Sequence, residues 1–146
     1  MKDKASFFQS SAYNQEAFRY LLESESKRSE QSGHLYQVLL VSWTDVEGRT
    51  VQMDSRVATT VMAALPRSLR ETDYIGWYRE KHIVGAVLTV LVEESMAQVA
   101  SHVQKRLVEI LQSELSIEES RRLRIRVYPH GEFKGIELSE KTVAVN

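Results

Sequence analysis

The sequence predicts an α+β domain in which helices pack on a mostly antiparallel central sheet, as in a ferredoxin-like sandwich. Two observations carry this prediction. Helical and strand-like apolar patterns follow one another in the order helix, strand, helix, strand, strand, helix, strand. The two adjacent strand patterns are separated only by the short polar segment Glu80-Lys81-His82, whose length suits an antiparallel β-hairpin.

The individual helices and strands are predicted from apolar periodicity and from the residues that end them. Helical stretches show apolar residues at spacings of three and four, and Gly33 marks the end of the first one. The central strand is a dense aliphatic run, whereas the last strand alternates arginines with aliphatic residues, and Pro66 is expected to bend or end the second helix. The predicted helices cover 14–31, 54 or 55 to about 66, and 94–115, and the predicted strands cover 35–43, 73–79, 83–92 and 121–128.

The size and composition are those of one ordinary folded domain. The chain has 146 residues, of which 42% are hydrophobic and 27% are charged, so it is long enough to bury most of its apolar surface. We expect residues 1–11 to be an N-terminal extension and residues 12–132 to form the domain. Residues 133–146 are expected to be a C-terminal tail with weak strand character at 133–138.

Charge and cysteine content exclude several classes of function. The 19 Lys and Arg residues nearly balance the 20 Asp and Glu residues, which predicts no global attraction to nucleic acid or to anionic membranes. The absence of cysteine excludes disulfides and thiolate metal sites. No apolar window approaches the roughly 20 residues that a spanning helix needs, and the N-terminus lacks a signal-peptide core. We therefore expect a cytoplasmic protein without membrane insertion.

Four local strings, in this order and spacing, resemble the GGDEF family of diguanylate cyclases. They are NQEAF at 14–18, KRSEQSG at 27–33, LPRSLRETDYIGWY at 65–78 and RIRVYPHGE at 124–132. The resemblance covers roughly residues 12 to 132 and implies a nucleotide-cyclase-like variant of the predicted sandwich.

The family's catalytic signature is missing from this sequence. Where the family has Gly-Gly-Asp/Glu-Glu-Phe at its hairpin turn, this chain has the segment 79–83, in which Lys81 and His82 replace the acidic pair. Joining two nucleoside triphosphates requires carboxylates that hold divalent cations against the phosphates. The resemblance therefore implies a degenerate domain without catalysis, metal pair or cofactor.

The carboxylate nearest to the family's other metal position is Asp45. The family places that carboxylate at the end of the first central strand, where this chain has Ser42-Trp43-Thr44, and Asp45 is out of register. We favour the interpretation that Asp45 is a turn or capping residue. The alternative is a divergent metal-dependent enzyme that uses Asp45, Glu47 or Glu80.

One binding motif of the family is retained. Arg70 and Asp73 match the Arg-x-x-Asp motif of its product-inhibition site, and the resemblance implies that they grip the phosphate and guanine of cyclic di-GMP. Arg67 and Arg79 are candidates for added positive charge at this site. The opposing interpretation is structural, because a helix C-terminus favours arginine without any ligand.

We therefore predict a signalling or assembly module that binds a protein partner, associates with itself, or binds cyclic di-GMP. A third hypothesis is a nucleic-acid-binding domain that uses the arginines of the segment 121–126. We favour a solvated edge there, because the aromatic residues of an RNA-recognition surface are not interleaved with these arginines. The four histidines have no ligand-like spacing, so no metal site is expected.

Overall fold

A computed structural model of the chain describes residues 12–68, 72–90 and 96–135. For residues 72, 73, 89 and 90 it describes the backbone only. The elements alternate largely as the sequence predicts. In chain order they are α1 (Gln15–Ser32), β1 (Leu35–Thr44), β2 (Thr50–Val51), α2 (Ser55–Ser68), β3 (Thr72–Arg79), β4 (Ile83–Val90), α3 (Met96–Glu114), α4 (Ile117–Arg121) and β5 (Leu123–Pro129).

The five strands form one antiparallel sheet with β1 at its centre. β1 pairs with β4 over 35–42 and with β5 over 37–43, so these two neighbours lie on opposite edges of β1. β3 pairs with β4 and lies at one edge of the sheet, and β5 lies at the other. The order β3-β4-β1-β5 confirms the predicted α+β sandwich and the predicted hairpin between β3 and β4.

The first helix is bounded by residues that the sequence singles out. Asn14 precedes α1, and its side-chain oxygen accepts a hydrogen bond of 2.9 Å from the backbone N–H of Ala17. Gly33 ends α1 with φ at 77°, a left-handed conformation that glycine adopts at little cost. Asn14 opens the NQEAF string, so a capping role explains its place in that string.

The sheet separates two hydrophobic cores. On one face α2 and α3 cover the sheet, and the buried residues there include Leu39, Val57 and Leu107. On the other face α1 packs through Phe18 and Leu22. β1 supplies alternate residues to the two cores, which is why its sequence is apolar at nearly every position.

Three details differ from the sequence prediction. The last strand begins at Leu123 rather than at 121, because Arg121 belongs to α4, whose first turn carries a capping box between Ser116 and Glu119. The segment expected to be only a loop after β1 contains β2, which pairs with the end of β1. Residues 130–135 are helical, so the strand character expected at 133–138 is wrong for 133–135, while 136–138 lie outside the described residues; Phe133 is buried in the core on the α1 face.

Pro66 lies in the last turn of α2, which continues to Ser68. The predicted continuation of β4 to 91–92 and the start of the third helix at 94–95 lie outside the described residues. Within the described parts of the chain, no helix is long and apolar enough to cross a bilayer.

Candidate functional site

The candidate site is the β3–β4 hairpin turn, formed by residues 80–82. The backbone N–H of His82 donates to the carbonyl of Arg79 at 2.9 Å and closes the turn. Lys81 has φ at 63°, the left-handed conformation that residues with a side chain rarely adopt. Lys81 and His82 thus lie in or beside the hairpin turn, as predicted.

The carboxylate of Glu80 is engaged by the start of α1. Its Oε1 accepts from the backbone N–H of Gln15 at 2.9 Å, and the Oε1 of Gln15 accepts from the backbone N–H of Glu80 at 2.6 Å. The turn is also joined to the segment before α2, since the N–H of Met53 donates to the carbonyl of Lys81 at 2.7 Å. Glu80 therefore fastens the hairpin to α1.

Asp45 organises the tight turn that follows β1. Its Oδ1 accepts from the backbone N–H groups of Glu47 at 2.9 Å and Arg49 at 3.0 Å. The bond from the Arg49 amide is the main cause that holds the pKa of Asp45 below its ordinary value, with the Glu47 amide and the Arg49 charge adding to it. The interpretation of Asp45 as a turn residue is confirmed.

The carboxylates that a metal-dependent enzyme would use already have partners within the chain. Glu47 forms an ion pair with Arg49 at 3.0 Å, and Asp45 and Glu80 accept bonds from backbone amides. Across residues 12–68, 72–90 and 96–135, no three His, Asp or Glu side chains come together in a group able to hold a metal ion. The residues at this end of the sheet do not fit a pair of divalent cations.

Two solved structures resemble this fold. A DGC protein from Thermotoga maritima superposes with a TM-score of 0.57 at 12% identity, covering 81% of this chain and 79% of that one. The diguanylate cyclase SiaD from Pseudomonas aeruginosa, solved in complex with its activator SiaC, gives a TM-score of 0.55 at 17% identity over 86% of this chain. This chain has a GGDEF-like fold.

The GGDEF-like domain spans a smaller part of the SiaD chain, 47% of its length. No protein-family model matches the sequence, and no curated protein matches it either. At these identities the likeness establishes the fold of the domain, while activity and ligands have to be argued from its own residues.

The residues of the Arg-x-x-Asp motif are only partly described in the GGDEF-like domain. Arg70 lies outside the described residues, as does the side chain of Asp73. Arg67 lies in the last turn of α2, where its guanidinium contacts the carboxylate of Glu114 at 2.5 Å. Arg79 is exposed and is the last residue of β3. It follows Asp73 by six residues, a separation of roughly 20 Å along an extended strand. The structure therefore places Arg79 away from the start of β3.

A polar cluster around Glu25 is the feature that sequence reasoning missed. Glu25 is 1% exposed, and its carboxylate contacts Nε2 of His34, the hydroxyl of Tyr74 at 3.2 Å and Nη1 of Arg28 at 3.4 Å. The signal was present in α1, because positions 18, 22, 25 and 29 form one helical stripe that is apolar at first and then polar. This GGDEF-like domain thus ties α1 to β3 and to the segment before β1 through one buried carboxylate.

Proposed function

We propose that this domain is a non-catalytic GGDEF-like signalling or assembly module of the cytoplasm, which acts by binding a protein partner. The observation that supports the proposal is the hairpin turn, which contains Lys81 and His82. The sequence resemblance aligns these two residues with the carboxylates of the family signature. The carboxylates nearby, Glu80 and Asp45, are committed to backbone amides of their own chain.

The chemistry of nucleotide joining explains why this turn argues against catalysis. The reaction requires divalent cations that bridge carboxylates and phosphates. An ammonium group at Lys81 repels such cations, and the imidazole of His82 lies with Nδ1 2.8 Å from the carbonyl of Glu80. The two hydrophobic cores do not depend on these residues, so the fold is retained without the chemistry.

Protein binding is the favoured role for such a scaffold. SiaD, which shares this fold, was solved in complex with its activator protein SiaC, and we extend that kind of contact to the present domain as a proposal. The protein partner can also be a second copy of this domain. Binding of cyclic di-GMP through Arg70 and Asp73 is the alternative, supported by the retained motif.

The proposal of a non-catalytic module predicts no nucleotide turnover. Purified protein incubated with GTP and either Mg²⁺ or Mn²⁺ is expected to give no cyclic di-GMP above a control without protein, because the described residues contain no carboxylate cluster that could hold the cations. Product detected by chromatography that disappears in Asp45→Ala, Glu47→Ala or Glu80→Ala would establish the enzyme alternative and overturn the proposal.

Calorimetric titration of cyclic di-GMP tests whether the domain binds this nucleotide in addition to, or instead of, a protein partner. If the motif binds, wild-type protein is expected to bind in the micromolar range, about 8 kcal/mol, and Arg70→Ala is expected to lose binding because the guanidinium fork on phosphate is removed. Arg79→Ala is the matched control, since Arg79 lies at the other end of β3. Absence of heat in all three proteins would leave protein binding as the function.

A further inference from the structure

The outer edge of β5 has hydrogen-bonding groups that pair with no strand among the described residues. The N–H of Thr44 donates to the carbonyl of Arg122 at 2.8 Å, which fixes the phase of the ladder between β1 and β5. Backbone groups of Arg124 and Arg126 therefore face β1, whereas those of Leu123, Ile125 and Val127 point outward. In the described part of the chain no strand pairs with this edge, and the contact made there is from Nε2 of Gln104 to the carbonyl of Ile125 at 2.8 Å.

Two arginines stand on one face of this edge strand. Arg124 and Arg126 are exposed, and among residues 12–68, 72–90 and 96–135 neither guanidinium forms an ion pair or a hydrogen bond. Some other surface arginines are paired, since Arg56 pairs with Glu119 and Arg67 pairs with Glu114. Arg79 and Arg121 resemble Arg124 and Arg126, because they too form no ion pair within the described residues. The edge of β5 therefore carries two positive charges that no acidic side chain of the described chain neutralises.

The other face of β5 lines a groove between apolar side chains, with Gln104 and Gln112 of α3 also in its lining. Leu123 and Ile125 are half-buried and form one wall, while Val108 and Leu111 of α3 form the opposite wall of a groove of about 220 Å³. The hydroxyl oxygen of Ser120 also lines the groove, and it is shielded from solvent without a hydrogen-bond partner. The groove thus offers apolar surface beside the outer edge of β5.

We propose that the outer edge of β5 binds an extended segment of a partner protein in which acidic and apolar residues alternate. The segment adds to the sheet as an antiparallel strand. Its backbone bonds to the outward groups of Leu123, Ile125 and Val127, and at the Ile125 carbonyl it replaces the side-chain amide of Gln104. Side chains alternate between the two faces of a strand, so acidic residues face Arg124 and Arg126 while apolar residues enter the groove. This deepens the proposed function, because it rests on protein binding as the role of the module.

An acidic strand fits this edge better than the other occupants do. A second copy that paired edge to edge would bring its own Arg124 and Arg126 beside those of the first, and like charges across a strand pair are destabilising. A nucleic acid would use the arginines but neither the backbone edge nor the apolar groove, and β5 exposes no row of aromatic side chains for base stacking.

A labelled peptide that alternates Glu and Val tests the proposal directly. Its length of seven residues matches β5, and fluorescence anisotropy is expected to show a dissociation constant on the order of 100 μM. Arg124→Glu is expected to weaken binding by about tenfold or more, whereas Arg79→Glu, an exposed arginine on the opposite edge strand, is expected to leave it unchanged. A peptide of the same composition with its glutamates and valines in separate blocks is expected not to bind.

Backbone pairing has its own readout. Methylation of the valine nitrogens removes the expected backbone bonds while keeping the charge pattern, and it is expected to abolish binding. Amide exchange followed by NMR is expected to slow at Leu123, Ile125 and Val127 when the peptide is added, and to stay unchanged at Arg124 and Arg126, whose amides already bond to β1.

Several outcomes would overturn this inference. Binding that is insensitive to Arg124→Glu, binding that survives methylation, a shift of wild-type protein to dimers through this edge in sedimentation, or tighter binding of an oligouridine RNA than of the peptide would each do so. If the protein makes no cyclic di-GMP from GTP and also fails to bind the peptide, the strand proposal alone is refuted. A protein that makes cyclic di-GMP refutes the proposed function itself.

Discussion

Replacing Phe18 with alanine is expected to lower the free energy of unfolding by about 3–5 kcal/mol. Phe18 is fully buried and is the aromatic anchor by which α1 packs on the sheet, in the core that also holds Leu22 and Val38. Truncation removes the contacts of the ring and leaves a cavity that a rigid sheet cannot close. Urea unfolding followed by circular dichroism measures the loss.

The ring of Phe18 fits against the sheet because position 85 has no side chain. A Cβ atom placed on Gly85 would lie 2.8 Å from two carbon atoms of that ring and 3.3 Å from the Cβ of Tyr78. Gly85→Ala alone is therefore expected to cost about 1–3 kcal/mol through overpacking. The double variant Phe18→Leu/Gly85→Ala is expected to lose less stability than the sum of the losses measured for Phe18→Leu alone and for Gly85→Ala alone, because the smaller side chain leaves room for the new methyl group. Strict additivity of the two losses would contradict this packing.

Much of the fold is predictable because its main signals are local. Apolar periodicity together with Asn14 and Gly33 gives the limits of α1 to within one residue, and the three residues 80–82 predict the hairpin between β3 and β4. β2 was missed because it has two residues and depends on pairing with the end of β1. The capping box of Ser116 and Glu119 was legible in the sequence as a helix start, and it marks α4.

In the candidate site, too, contacts that are local in sequence could be predicted, whereas contacts between distant residues could not. Asp45 was correctly interpreted as a turn residue, because an aspartate bonds to amides two to four residues ahead and that preference is local. The engagement of Glu80 joins residues 65 positions apart, and no periodicity reports it. Glu25 and Tyr74 are likewise brought together by packing of α1 on β3, so their contact becomes visible only in three dimensions.

Replacing Glu25 with alanine is expected to destabilise the domain by about 1–3 kcal/mol, because buried hydrogen bonds are lost and a polar partner is left unsatisfied. The hydroxyl of Tyr74 and Nε2 of His34 both contact this carboxylate. The loss is expected to stay below the range for breaking a fully buried ion pair, since His34 keeps about a quarter of its side chain exposed and Arg28 about two thirds. Thermal and urea unfolding measure the change.

Arg28→Ala is the matched control for the same cluster. The Arg28 guanidinium lies 3.4 Å from Glu25 and its side chain is 65% exposed, so its removal is expected to change stability by less than about 0.5 kcal/mol. Glu25→Gln is expected to recover part of the loss, because the amide oxygen still accepts from Tyr74. If Arg28→Ala proves as destabilising as Glu25→Ala, the cluster is held by charge pairing with Arg28. If only Glu25→Ala is costly, the carboxylate acts through its bonds to His34 and Tyr74, which tie α1 to β3 and to the segment before β1.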